Sequence, residues 1–389
     1  MRSLREKLAA ISSAPPKPKP APTPKRETAF FVRDTRYPLG EIGGIERTAL
    51  SQVRRVDPLF AGEAWDARRA LFLDTETTGL SRGAGTVAFL VGAGYLEGDA
   101  MVVRQFLMRD YDEEEAMLRD IADLIAQFDT YVTFNGKSFD IPLLASRMTM
   151  NRLHGGAPDK PHVDLLHAAR RVYKLRLERC NLGTLEEQVL GCPREGDLPS
   201  AQVPERYFTY LKTGEFALLE DVLHHNALDI RSLAVLLTRL CDAFAQPEQI
   251  AFSEDLLGVG KTLEKGGYTQ EAAHCYQMLD ETRMGAGARD KLSTLYKREK
   301  DWDEAVGVYE QMIRRGEGGT KPYIELAKYY EHQATDARRA LTYTRAALGR
   351  LEELSLLGRF DPRQVQELQK REARLLQKIR KSPVFTDKA

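Results

Sequence analysis

The stretch LFLDTETTG, residues 71–79, places two carboxylates at the end of a strongly apolar run. The run predicts a buried strand, and residues i and i+2 of a strand point to the same face, so Asp74 and Glu76 lie side by side. Like charges a few ångströms apart raise each other's pKa unless a cation lies between them. The pair therefore predicts a site for a hard divalent cation, and all-oxygen ligation favours magnesium or manganese over zinc.

The segments that follow alternate between strand and helix patterns. TVAFLVGAGYL (86–96) and AMVVRQFLM (100–108) predict two strands joined by a tight hairpin at Glu97-Gly98-Asp99. Residues 113–128 carry apolar side chains at helical spacing behind an acidic first turn, and YVTFNG (131–136) predicts a strand before a helix from about Ser138. The order β, β, β, α, β, α predicts a ribonuclease-H-like fold, a mixed sheet flanked by helices.

Two further acids occur where they could join the first pair. Asp140, in NGKSFDIPLL (135–144), follows a predicted strand in the first turns of a helix. Asp229, in LHHNALDIRSLAVLL (223–237), stands on a helix whose leucines and Ile230 recur at the spacing of a core-facing stripe. Four acids from four elements would then converge on one site.

Three segments carry a resemblance to a known superfamily. DTETTGL, NGKSFD and an acid-bearing helix with His shortly before its Asp resemble the three exonuclease motifs of the DEDD superfamily, and with HVDLL (162–166) and C-terminal repeats they resemble the YprB-like family. The resemblance spans nearly all the chain after its N-terminal arm. It implies that Asp74, Glu76 and Asp229 bind the cation that activates water, and that Asp74 and Asp140 hold a second one. It implies in-line phosphodiester hydrolysis, usually from a 3′ end.

Two histidines are candidates for the general base. His224 stands five residues before Asp229, the spacing of the superfamily's His branch, and His225 stands four before it, where the other branch carries Tyr. Residues four apart on a helix share a face, which favours His225. His224 would need a loop or a frayed turn to reach the same water.

The turn after the first motif is a candidate for substrate binding. Thr77, Thr78 and Gly79 would let the backbone approach the scissile nucleotide, with Gly79 supplying permissive dihedrals. Leu80 would wedge against the terminal base or belong to the core.

A second group of substrate candidates lies near Asp140 or in a basic run. Asn135 and Lys137 are close enough in sequence to line the same cleft. Asp164 would position substrate, or serve as a helix N-cap. The run RRVYKLRLER (170–179) has five basic residues against one acidic residue, a net +4, and makes Arg170 and Arg171 candidates for phosphate contact. A solvated helix face is the alternative.

Composition divides the 389 residues into four segments. Residues 12–28 are rich in Pro, Ala and Lys, so 1–40 is predicted to be a disordered arm. Residues 41–246 form the ribonuclease-H-like domain. Beyond Pro247, Ala272, Ala305 and Ala340 align 33 and 35 residues apart, which resembles tetratricopeptide repeats over 247–350. Residues 351–389 form a charged helix and tail. The fold class is thus α/β followed by an all-α repeat domain.

Bulk properties narrow the classes of function. With 57 basic and 57 acidic residues, any surface for nucleic acid must be local. We expect no membrane span and no secretory signal, which indicates a cytoplasmic protein. The four cysteines form no CxxC pair and predict neither a zinc site nor a disulfide framework.

The leading hypothesis is a nuclease that uses two divalent cations, Mg²⁺ or Mn²⁺, to hydrolyse DNA or RNA as a 3′–5′ exonuclease. The repeats would recruit a protein partner or the substrate. One alternative is a catalytically inactive ribonuclease-H-like scaffold whose repeats bind protein. Another is an endonuclease with the same metal site.

Overall fold

The computed structural model describes residues 29–79, 85–153, 157–194, 196, 198–357 and 361–381, so Leu80 lies outside the described residues. Six strands form one sheet in the order β1-β4-β3-β2-β5-β6. The strands are β1 (Phe31–Pro38), β2 (Ala70–Thr77), β3 (Ala88–Glu97), β4 (Ala100–Leu107), β5 (Thr130–Thr133) and β6 (His162–Asp164). β5 pairs in parallel with β2 and β6, and the other pairs are antiparallel. The mixed sheet is therefore confirmed.

Strand β1 was not expected. It pairs with β4 from Phe31 opposite Leu107 to Pro38 opposite Ala100, inside the segment 1–40 that composition predicts to be disordered. That prediction is wrong for residues 31–38. The Pro-rich composition ends before them, and FVRDTRYP alternates half-buried and exposed side chains, as an edge strand does. Asp34 also accepts two hydrogen bonds from Arg104 of β4, at 2.8 and 2.6 Å.

Among the described residues, seven α-helices belong to the part of the chain around the sheet. They are α1 (Leu50–Val56), α2 (Glu114–Ile125), α3 (Asp140–Met150), α4 (Leu165–Tyr173), α5 (Leu182–Leu185), α6 (Val203–Thr213) and α7 (Ala217–Ala245). Phe72 of β2 packs with Ile230 of α7 on one face of the sheet, whereas Leu71 and Leu73 pack with α2 and α6 on the other. The alternation of β2 thus directs Asp74, two residues after Phe72, toward α7.

Two glycines of β3 let α7 lie close against the sheet. A Cβ atom at Gly94 would lie 2.4 Å from Cγ2 of Ile230 and 2.4 Å from Cε of Met101. A Cβ atom at Gly92 would lie 2.3 Å from Oδ1 of Asn226. The pattern VGAG in the sequence therefore marks the place where α7 crosses β3.

After residue 250 the described ranges 251–357 and 361–381 contain seven further α-helices. They are α8 (Ser253–Lys265), α9 (Thr269–Met278), α10 (Gly285–Glu299), α11 (Trp302–Arg314), α12 (Lys321–His332), α13 (Ala337–Leu356) and α14 (Pro362–Lys381). Each of these helices packs on the next one along the chain. The helical C-terminal region is confirmed, and α13 continues past the boundary expected at residue 350.

The helical region shares its core with the sheet domain. α8 packs on α4 so closely that a Cβ atom at Gly258 would lie 2.4 Å from the carbonyl oxygen of Val172. Arg176 contacts both Asp255, with Nε 2.8 Å from Oδ2, and the ring of Phe252, 4.2 Å from its guanidinium carbon. One cluster of buried apolar residues extends from the α7 face of the sheet to α14.

A single buried carboxylate fixes the last helix. The side chain of Glu331, in α12, has no exposed surface. It forms ion pairs with three basic side chains of α14, Arg371, Arg374 and Lys378, at 3.1, 2.9 and 2.9 Å. Burial alone would raise the pKa of Glu331, but the hydrogen bonds from Arg374 and Lys378 outweigh it and lower that pKa to about 2.

Candidate active site

The four acids singled out in the sequence come together at one end of the sheet. Asp74 and Glu76 lie near the end of β2, Asp140 begins α3, and Asp229 lies in α7. Burial raises the pKa of the Asp74 carboxyl well above its ordinary value, and the charges of Asp229, Asp140 and Glu76 raise it further. Such mutual repulsion among acids is what a bound cation would relieve.

Asp140 is the most deeply buried of the four, with 4% of its surface exposed. Its Oδ1 accepts a hydrogen bond of 2.5 Å from the hydroxyl of Thr75, the residue between the two acids of β2. Burial raises the pKa of Asp140, and the hydrogen bond from Thr75 partly opposes that rise. Its place in the first turn of α3 favours the ionised form as well.

His225, Asp229 and Glu76 form a compact group of possible ligands. Nε2 of His225 lies 3.5 Å from Oδ2 of Asp229 and 3.9 Å from Oε1 of Glu76. One ligand atom from each of the three lies within 4.8 Å of the others. His224, one residue earlier, is exposed, whereas His225 is buried. The helical-face argument therefore agrees with the placement of His225.

The donor set fits a divalent cation. Carboxylate oxygens of four acids suit Mg²⁺ or Mn²⁺, and an imidazole nitrogen is tolerated by Mn²⁺ better than by Mg²⁺. Burial and, after it, the charges of the neighbouring carboxylates raise the pKa of Asp74, so a cation bound beside it would favour its ionised form. RNase-H-like nucleases generally use divalent metals, and this cluster is where the chain could hold them.

Asn226 holds Asp74 in place and was not identified from the sequence. Its Nδ2 donates to Oδ2 of Asp74 at 2.9 Å, and its Oδ1 accepts from Nε2 of Gln105 at 3.0 Å. Asn226 has no exposed surface and sits over Gly92. A signal existed, because Asn226 precedes Asp229 by three residues and so shares its helix face.

Arg194 and Glu186 form a second set of site residues that the sequence did not indicate. Nη2 of Arg194 donates to carboxylates of both Asp229 and Glu186, and Nη1 lies 3.4 Å from Nδ1 of His225. Oγ of Ser200 lies 3.3 Å from Nε2 of His225. These residues line a cavity of about 570 Å³. They come from a segment without periodic pattern, so no sequence signal could have placed them.

Asp164 does not face the cleft. It is 1% exposed, and its side chain caps α4 by accepting from the backbone nitrogen of Leu166 at 3.1 Å. It also accepts from the backbone nitrogens of Asn135 and Lys137, at 2.8 and 3.2 Å. The N-cap interpretation is confirmed. Because the carboxylate is buried and occupied by backbone donors, the structure gives no support to the assignment of Asp164 to substrate binding.

Asn135 and Lys137 lie on the loop that Asp164 braces. Asn135 adopts a left-handed φ of 70°, which asparagine tolerates better than most residues, and both side chains are exposed. Nζ of Lys137 lies 3.5 Å from Oδ2 of the buried Asp57. The two residues are thus accessible on the loop that precedes Asp140 in the chain, and their contact with substrate stays a prediction.

The basic run does not form one phosphate-binding surface. Nη2 of Arg171 donates to the carbonyl oxygen of Val56 at 2.7 Å and lies 3.4 Å from Oδ1 of Asp57. This pairing gives Arg171 a structural role, and its contact with phosphate stays a prediction. Arg176 likewise forms an ion pair with Asp255. Arg170 is exposed, so phosphate contact at this residue remains a prediction.

The turn after Glu76 is tied to the start of β3. Oγ1 of Thr77 donates to the carbonyl oxygen of Gly79 at 2.9 Å, and Oγ1 of Thr78 accepts from the backbone nitrogen of Val87 at 3.1 Å. Gly79 does not adopt a left-handed φ, so the permissive dihedrals expected of it are not used. A Cβ atom there would meet nothing within 4 Å. Substrate contact by Thr77, Thr78 and Gly79 stays a prediction.

Comparison with known proteins agrees with this architecture. The family model RNase_H_2, which belongs to the RNase_H superfamily, matches residues 71–241. This part of the chain is therefore an RNase_H superfamily domain. The protein YprB of Bacillus subtilis (strain 168) is 32% identical over 337 residues, which cover 82% of this chain and 80% of that protein. The chain therefore belongs to the YprB-like family.

One solved structure overlaps the chain more loosely. The family B DNA polymerase from the hyperthermophilic archaeon Pyrobaculum calidifontis shares 18% sequence identity, with a TM-score of 0.37. The overlap covers 58% of this chain and only 30% of the polymerase chain.

None of the helices in the described part of the protein combines the length and apolar content that crossing a lipid bilayer requires.

Proposed function

We propose that the protein is a metal-dependent nuclease of the DEDD type that removes nucleotides from a 3′ end. The observation that carries the proposal is the cluster of Asp74, Glu76, Asp140 and Asp229, in which burial and like charge raise the pKa of Asp74. Membership of the RNase_H superfamily supports phosphodiester hydrolysis as the reaction. The polarity follows from the resemblance of the three motifs.

Asp74, Glu76, Asp140 and Asp229 would hold two divalent cations, Mg²⁺ or Mn²⁺. Bound cations lower the pKa of water and stabilise negative charge on phosphoryl oxygens. Asn226 keeps Asp74 oriented, and Thr75 does the same for Asp140. His225 would accept the proton of the attacking water, because its Nε2 faces Asp229 and Glu76.

Asn135, Lys137 and the turn Thr77-Thr78-Gly79 would contact the substrate. The two side chains are exposed on the loop that precedes Asp140 in the chain, and the turn directly follows Glu76. The helices from α8 to α14 would act as tetratricopeptide-like repeats that recruit a protein partner or the substrate. Their packing in succession along the chain is the arrangement that stacked helical repeats adopt.

The test is incubation of the purified protein with DNA and RNA oligonucleotides labelled at the 5′ or at the 3′ end, in Mg²⁺ and in Mn²⁺. We expect a ladder that shortens from the 3′ end, and no cleavage of a circular single strand. Cutting of the circle would indicate the endonuclease instead. Asp74→Asn is the matched control, because it keeps the shape of a ligand and removes its charge.

Two results would contradict the proposal in favour of a scaffold. The first is retention of full activity by Asp74→Asn prepared free of host nucleases. The second is the absence of Mg²⁺ and Mn²⁺ binding by calorimetry in a protein that is folded by circular dichroism. Either result would remove the metal site on which the proposal depends.

A further inference from the structure

A positively charged side chain lies against one of the proposed metal ligands. Arg194 donates hydrogen bonds from Nη2 to Asp229 and to Glu186, and 14% of the Arg194 side chain is exposed. Asp229 is equally buried, and the Glu186 side chain is 2% exposed. This ion pair is therefore shielded from solvent, and charges in such a buried environment interact more strongly than they do in water.

The two oxygens of Asp229 face different groups. Oδ1 accepts from Arg194, whereas Oδ2 lies 3.5 Å from Nε2 of His225. Glu76 lies on the Oδ2 side as well, with Oε1 3.9 Å from the same nitrogen. Asp229 thus stands between the guanidinium and the group of atoms that could ligate a cation.

We propose that Arg194 competes with the divalent cation for Asp229 and so sets the metal affinity of the site. The inference rests on the proposed metal-dependent function. A fixed positive charge in contact with a ligand carboxylate repels a cation on its other oxygen and withdraws electron density from it. Glu186 keeps Arg194 in that position by binding the same nitrogen, so the competing charge is built into the fold.

Arg194 also opposes the binding of a cation by His225. Its Nη1 lies 3.4 Å from Nδ1 of His225, and a guanidinium can only donate, so Nδ1 is the acceptor. In the neutral ring the proton then lies on Nε2, the atom that faces Asp229 and Glu76. While Arg194 keeps this contact, Nε2 carries the proton, so the role of base proposed for His225 requires that Arg194 first move away. Displacement of Arg194 would release both functional groups together.

The test measures Mn²⁺ affinity by calorimetry at constant pH. Arg194→Met, which removes the charge and keeps much of the side-chain length, should bind Mn²⁺ about ten-fold more tightly or better. Arg194→Lys keeps the charge and should stay near the wild type. Arg119→Met is the matched control, because it removes the same charge from an exposed residue of α2 and should leave the affinity unchanged.

Thermal melting gives an independent readout. Without metal, Arg194→Met should melt at a lower temperature, because Asp229 and Glu186 lose their partner, and saturating Mn²⁺ should raise its melting temperature by more than that of the wild type. Arg194→Gln, which retains a hydrogen-bond donor, replaces Arg194→Met if that variant does not fold.

Equal or weaker Mn²⁺ binding by the neutral variant would overturn the proposal and would make Arg194 a residue that positions Asp229. Absence of Mn²⁺ binding in every variant, the wild type included, would instead overturn the metal-dependent function itself. The two failures are therefore distinguishable.

Discussion

Replacement of Gly92 by alanine should inactivate the site through Asn226 without touching any metal ligand. The new Cβ would lie 2.3 Å from Oδ1 of Asn226 and 2.9 Å from its Cγ and Nδ2. Normal contact requires about 3.5 Å, so Asn226 must move by roughly 1 Å. Asn226 donates to Asp74 and accepts from Gln105, so the movement breaks one or both of these hydrogen bonds.

The magnitude follows from two costs. Overpacking a buried position costs about 1–3 kcal/mol, and loss of a partner for a buried polar group costs about 1–3 kcal/mol more. The free energy of unfolding should therefore fall by about 2–5 kcal/mol. A displacement of about 1 Å in a group that orients a reacting residue costs about 10²-fold in rate. We expect kcat to fall by that factor, because Asp74 loses its orientation.

Gly94→Ala is the matched control, two residues along the same strand and on the same face. Its Cβ would meet Ile230 and Met101, at 2.4 Å from each, so it overpacks the same crossing with apolar contacts only. It should lose about 1–3 kcal/mol of stability and keep its rate. Urea denaturation and the rate of oligonucleotide hydrolysis at saturating Mn²⁺ measure both variants. Equal rate losses in the two, at a temperature where both are folded, would refute the role given to Asn226.

Three further predictions follow from the same packing and electrostatics. His225→Ala should lose about 10²-fold or more in rate and His224→Ala little, because only His225 faces the acids; the reverse pattern in hydrolysis assays would contradict the assignment. The pKa of Glu331 is about 2 in the folded protein and about 4.5 in the unfolded chain. Its ionised form therefore contributes fully to the free energy of unfolding above pH 4.5, and this contribution is lost as the pH falls from there toward 2. Glu331→Gln should therefore melt lower at pH 7 and lose that part of the acid dependence; an unchanged melting profile would argue against it. A chain ending at Gln246 exposes the face of α4 that α8 covers, so it should be poorly soluble or less stable by calorimetry than the full chain.

Local patterns in the sequence determined much of this protein. The period of two in LFLDTET placed Asp74 and Glu76 on one face, and the spacing of four between His225 and Asp229 placed them on one side of a helix. The order of strands and helices and the helical C-terminal region were also predicted. Each of these features depends on residues within one turn or one strand of each other, so the chain's local geometry suffices to fix it.

Tertiary structure alone decided which polar side chains pair with other groups of the protein. Asp164 and Arg171 had the chemistry of substrate-binding residues, but one is enclosed by backbone donors and the other is bound to residues 56 and 57. Arg194 contacts Asp229 from a segment without periodic pattern, and residues 31–38 form a strand that pairs with the edge of β4. In each case the deciding partner is distant in the sequence. The free energy of pairing a buried charge or a strand edge depends on what the fold brings beside it, and no local pattern records that.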